Sequence, residues 1–113
     1  MIENYAFNGI RNLKRVSFQE GSRLEKIGEN CFSGTGIEEF LAPPNLREIG
    51  TAAFSFCGSL ERVVLNEGLE RLGEISYDNR TYYAGAFRNT KIKQITLPST
   101  LRVLGDNTFQ ECE

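Results

Sequence analysis

The sequence predicts a mainly β solenoid, a stack of short coils sharing one elongated core. Three observations predict it: a phenylalanine that recurs at a nearly fixed interval, an apolar triplet of constant spacing after each phenylalanine, and an aliphatic pair followed by glycine. Phe7, Phe32, Phe54, Phe87 and Phe109 each close a unit, at separations of 25, 22, 33 and 22 residues, so the basic period is 22 to 23. Self-similarity at this period marks supersecondary units that cannot bury their own apolar face and must stack on a neighbour. Residues 1–113 read as a single segment of such an array, with two extra residues around Glu20 to Arg23 and an insertion at 74–84.

Each element follows from its own residues. The triplet has the spacing L-x-x-L-x-L and reads Leu13, Val16, Phe18, then Ile37, Phe40, Ala42, then Leu60, Val63, Leu65, and finally Ile92, Ile95, Leu97. Alternation in an extended chain turns the fourth and sixth positions inward and the third and fifth outward. Equivalent strands stacked about 4.8 Å apart then form one parallel sheet. Pro43, Pro44 and Pro98 follow the strand and stop it, because proline has no ladder donor. The aliphatic pairs come next: Leu24 with Ile27, Leu46 with Ile49, Leu69 with Leu72, Leu101 with Leu104. They end on Gly28, Gly50, Gly73 and Gly105, where a corner with a positive φ or a close backbone approach is expected. The residues from this glycine to phenylalanine, such as Thr51-Ala52-Ala53-Phe54, are the right length for one short helical turn.

Composition narrows the function. There are 13 basic and 15 acidic side chains, a formal net charge of -2, and no His or Trp. No basic cluster is present to release counterions from a phosphate backbone, so nucleic acid is not an expected partner. No apolar run is long enough to insert in a membrane. The missing His removes the commonest general base and metal ligand, and no metal-ligand spacing occurs, so the expectation is no enzyme, no metal and no cofactor. Cys57 and Cys112 hold the same repeat position two coils apart, beyond disulfide reach, and Cys31 belongs to another ladder, so all three read as reduced, small apolar residues. Residues 1–8 carry no basic and apolar leader pattern. Ile2 to Phe7 align with Ile27 to Phe32, and Phe109 to Glu113 begin another unit, so neither end has a polar cap and end-to-end self-association is expected.

The segments Ile27-Gly-Glu-Asn-Cys-Phe32, Ile49-Gly-Thr-Ala-Ala-Phe54 and Phe54-Ser-Phe-Cys-Gly-Ser-Leu60 resemble the leucine-rich repeats of the BspA-like class, with its "L-x-x-I-G" and "A-F-x-x-C-x-x-L" pattern. The resemblance covers the chain apart from the insertion. It departs where Cys follows Phe in only two units, at Cys57 and Cys112, and where the third unit is interrupted. It implies a leucine-rich-repeat right-handed solenoid of about four and a half coils. It also implies binding or adhesion at an extracellular or cell-surface location, and it brings no catalytic residue.

Three features are candidates for function. The outward column Arg15, Glu39, Arg62, Gln94 alternates in sign, and beside it Ser17, Leu41, Val64, Thr96 puts two aliphatics at the centre. The insertion holds Tyr77, Arg80, Tyr82 and Tyr83. These are either recognition chemistry on a loop or the aromatic cover of a hairpin lying on its own coil. Asn79-Arg80-Thr81 is a glycosylation sequon in the same loop, or a turn bonded by its own side chains. Together they predict a non-catalytic module for protein or glycan recognition, with Arg15, Glu39, Leu41, Arg62, Val64 and the tyrosine loop as its surface. The alternative is a structural scaffold that packs against neighbouring subunits.

Overall fold

A computed structural model describes residues 1–73, 85–105, 108, 109 and 112. Six short strands order the described chain: β1 (Lys26–Ile27), β2 (Glu39–Leu41), β3 (Glu48–Ile49), β4 (Arg62–Val64), β5 (Arg71–Leu72) and β6 (Val103–Leu104). All pairings are parallel. They make two sheets, one of four strands in the order β1-β3-β5-β6 and one of two strands, β2-β4.

The single sheet expected from the triplets is therefore corrected. Only the second and third triplets pair, in the register Glu39 to Arg62, Phe40 to Val63 and Leu41 to Val64. The larger sheet forms instead from the aliphatic pairs that precede the corner glycines. Ile27, Ile49 and Leu72 are aligned in it, all fully buried, and Ile2 adds an isolated bridge to Ile27. These residues are close to isosteric, so equal side chains stack at equal spacing. The third triplet position runs Phe18, Ala42, Leu65, Leu97 and offers no such equal-volume column. Leu97, expected inside, is 41% exposed.

A third ladder lies at the phenylalanines. The N–H groups of Asn30, Phe32 and Gly34 donate to the carbonyls of Thr51, Ala53 and Ser55 in the next coil, while those of Cys31 and Ser33 bond back within their own turn. The expected helical turn is thus a run of consecutive β-turns, and the described residues contain no helix. Alternating the donors between neighbour and self requires left-handed backbone two residues before phenylalanine, at Tyr5, Asn30 and Ala52, and two residues after it, at Gly9, Gly34, Phe56 and Asn89. Glycine stands at only two of these positions. At Gly50 the requirement is close approach: a Cβ there would lie 2.7 Å from the carbonyl carbon of Gly28 and 2.8 Å from the nitrogen of Glu29.

The three ladders surround one core. The rings of Phe7, Phe32, Phe54, Phe87 and Phe109 stack at centroid separations of 5.3, 5.3, 5.4 and 5.9 Å, with interplanar angles of 11° or less. Phe40 leans on Phe54 at 4.6 Å and joins this spine to β2. Coils three and four stay in contact on two sides, through Phe54 N–H to Ala86 and Gly105 N–H to Leu72.

Candidate functional site

The β2-β4 ribbon presents a small, defined surface. Phe40 and Val63 point inward, so Glu39, Leu41, Arg62 and Val64 face solvent. Leu41 and Val64 are register partners, 46% and 47% exposed, and form one apolar ridge. Arg62 Nη1 reaches Glu39 Oε2 at 3.2 Å. Both side chains are mostly solvated, so the pair contributes well under 1 kcal/mol and serves to hold a charge pattern.

On either side the ribbon is flanked by a groove. On the β2 side, residues 15–21 separate from 39–44 and leave a space of about 440 Å³ with an apolar floor that includes Val16, Phe18, Leu41 and Pro43. Arg15 lines this groove across from Glu39; among the described residues no ion pair joins them, so the expected continuous charge column stops at the Glu39–Arg62 pair. On the β4 side, residues 61–67 bow away from 91–98 and enclose about 1280 Å³, with Arg62 and Val64 on one wall and Lys93, Gln94 and Thr96 on the other. Thus Arg15, Glu39, Leu41, Arg62 and Val64 are brought onto one face. Tyr77, Asn79, Arg80, Tyr82 and Tyr83 lie outside the described residues.

The thiols have a structural part. Cys57 Sγ donates to the Phe32 carbonyl (3.0 Å) and lies 3.4 Å from Thr35 Oγ1, which bonds the same carbonyl. Cys112, Thr90 and the Phe87 carbonyl repeat the arrangement two units further along the array. All three cysteines are free, and burial pushes the Cys31 thiol up to about 11 and the Cys57 thiol in the same direction.

A second charge pattern, on the four-stranded sheet, escaped the sequence reading. Lys26 pairs with Glu48 (3.1 Å), Glu48 with Arg71 (3.5 Å), and Arg47 with Glu70 (3.0 Å). The signal was present as alternating charge just before each repeated aliphatic, at 25–26, 47–48 and 70–71. Spacing alone does not show that these pairs lie on neighbouring paired strands.

A family profile agrees with this repeat architecture. The sequence profile described as BspA type leucine rich repeat region matches residues 1–113 in six copies. No curated protein sequence matches the chain significantly. A solved leucine-rich repeat protein from Bacteroides ovatus is similar at 25% identity and a TM-score of 0.48, over 76% of this chain. The chain spans 26% of the length of that protein.

Proposed function

Because the chain belongs to the BspA-type leucine-rich repeat family, we propose that it is a non-catalytic recognition module that takes a protein or glycan partner at a cell surface, on the face built around β2 and β4. The family supports an interaction or scaffold role, and the observation that carries the finer reading is the Leu41–Val64 ridge. Two adjacent aliphatics, each nearly half exposed, sit on rigid strands beside an ordered charge pair and between two open grooves. An apolar centre with a polar, hydrogen-bonding rim is how interfaces concentrate their binding energy. Nothing in the core depends on these two side chains, so their exposure is tolerated at a cost only solubility opposes.

The test uses immobilised panels of purified extracellular-matrix proteins and of glycans. The wild-type chain should bind at least one member, and Leu41→Ser with Val64→Ser should weaken that binding at least about tenfold with the circular dichroism spectrum unchanged. Unaltered binding by the double variant removes this face from the reading. Failure of the wild type on both panels favours the second reading, a scaffold built by coil-on-coil association. Sedimentation velocity over a concentration series tests it.

A further inference from the structure

The groove beside β4 carries chemistry that a flat recognition face lacks. The N–H groups of Glu61 (3.0 Å) and Arg62 (3.4 Å) both donate to the Glu38 carbonyl, and Ala42 N–H donates to the Val64 carbonyl. Bonded residues alternate along a parallel ladder, so the N–H and C=O groups of Val63, and next of Leu65, turn away from β2 and into the groove. Among the described residues no backbone hydrogen bond joins 62–66 to 92–97. The slot is closed at both ends. At one end the Lys91 N–H meets the Leu60 carbonyl (2.9 Å), and at the other Ser99 donates to the Glu67 carboxylate (3.1 and 2.7 Å) and Gly68 to Thr100 Oγ1 (2.9 Å). Six residues, 61–66, separate the two closures, roughly 20 Å at about 3.3 Å each, and the open edge within them is that of Val63 to Leu65.

An exposed strand edge with unused donors and acceptors matches one kind of occupant, another extended backbone. Charge selects among such backbones. Arg62 is paired with Glu39; Glu67 keeps its charge, but both its oxygens are taken by Ser99 at the closed end of the slot. Of the remaining ionised groups on the walls, Lys91 and Lys93 outnumber Glu61, and neither lysine has an ion-pair partner among the described residues. From this juxtaposition of an open β4 edge and two uncommitted lysines, we infer that the slot binds an extended, carboxylate-bearing peptide segment of a partner protein as an added strand along Val63–Leu65. The inference rests on the recognition reading above and specifies its partner.

The probe is a fluorescein-labelled peptide of about six residues, the length of the slot, alternating valine and glutamate. Fluorescence anisotropy is measured for it, for a valine–lysine counterpart, and for a version with alternate backbone amides N-methylated. The glutamate peptide should bind at least tenfold more tightly than the lysine peptide, and N-methylation should remove the binding. Lys93→Glu, an exposed substitution, should weaken the glutamate peptide at least fivefold and improve the lysine one. Equal binding of the N-methylated and parent peptides overturns strand addition; equal binding of the two charge types, or no binding of either, overturns the selectivity or the site. These outcomes separate from the panel experiment. A silent slot with Leu41→Ser still impairing panel binding removes only this inference, whereas peptide binding with panel binding indifferent to Leu41→Ser removes the ridge and leaves the slot.

Discussion

Replacing Phe54 with alanine probes whether the stacked rings act as a continuous spine. Phe54 is fully buried and touches three other rings: Phe32 at 5.3 Å and 11°, Phe87 at 5.4 Å and 9°, and Phe40 at 4.6 Å and 44°. Truncation of a buried phenylalanine costs about 3–5 kcal/mol, and each aromatic pair adds about 0.5–1.5 kcal/mol beyond area burial. Losing three pairs in a rigid ladder that cannot collapse puts Phe54→Ala at the top of that range, about 4–5 kcal/mol. Phe7 has one ring neighbour, Phe32, and is 38% exposed. Phe7→Ala should therefore cost about 1–2 kcal/mol by the same accounting.

The assay is urea denaturation followed by circular dichroism, with hydrogen exchange to locate the damage. At the unfolding entropy of a chain this size, about 4 °C of melting temperature is lost per kcal/mol, so the two variants should differ by about 10 °C or more. In a one-dimensional stack the loss divides the array into two weaker halves. Protection should therefore fall first at the amides of Phe54 and Phe56, which donate to Ala86 and Arg88 across the affected gap. Equal destabilisation by Phe7→Ala and Phe54→Ala, or a Phe54→Ala cost below about 2 kcal/mol, would falsify the spine.

Three further outcomes follow from local geometry. Gly50→Ala should destabilise by about 1–3 kcal/mol in urea titration, because its Cβ meets only backbone of the adjacent coil, whereas Gly58→Ala, with nothing within 4 Å, should be neutral or stabilise by up to about 1 kcal/mol. Glu39→Arg and Arg62→Glu should each cost below about 1 kcal/mol at low salt, and the double swap should restore the loss; a cycle with no coupling contradicts the ion pair. The thiols should make stability fall with alkaline pH. Cys31 in the unfolded chain ionises near 9.0 and in the folded chain near 11, so the unfolded state alone loses its proton between these values, and the contribution present below pH 9 disappears toward 11. Melting curves from about pH 8 to 11 should slope less in Cys31→Ala than in the wild type, and an identical slope refutes the assignment.

The sequence made some of this legible and concealed the rest for physical reasons. Ring spacing reports burial directly, so the periodic phenylalanines and the Ile27, Ile49, Leu72 column could be read as core. Whether a buried aliphatic lies on a paired strand depends on backbone direction, which periodicity does not encode. Apolar spacing therefore places the sheet at the triplets, where it is strand-like, and the glycines that end the aliphatic pairs mark only a corner. The left-handed residues were also hidden, because Tyr5, Asn30 and Ala52 share no side-chain chemistry and are held there by hydrogen-bond alternation. On the candidate face the alternation rule worked: Leu41 and Val64 are exposed side by side as expected. The grooves beside them were not visible, since the triplet spacing is the same in all four units and does not encode which neighbouring coils close.

That division of labour bears on how such a chain can carry a binding face at all. The four-stranded sheet fixes register twice over. In the observed pairing Lys26 opposes Glu48 and Glu48 opposes Arg71. A shift of one residue would set Lys26 against Arg47 or Glu25 against Glu48, and would also turn Ile27 and Ile49 out of the core. Each exposed pair is worth only a few tenths of a kcal/mol, but the like-charge alternatives are penalised at both the β1-β3 and β3-β5 rungs, and burial adds a far larger cost to the same slip. With register and stacking secured there and in the phenylalanine spine, the β2-β4 side is free to open between coils. Side chains on the ribbon and the groove walls can then change with little effect on folding, whereas the spine and the glycine approach cannot. The physical expectation is that stability variants and binding variants fall on different sides of the coil, and a substitution scan reading both properties separately would show them as two nearly disjoint sets.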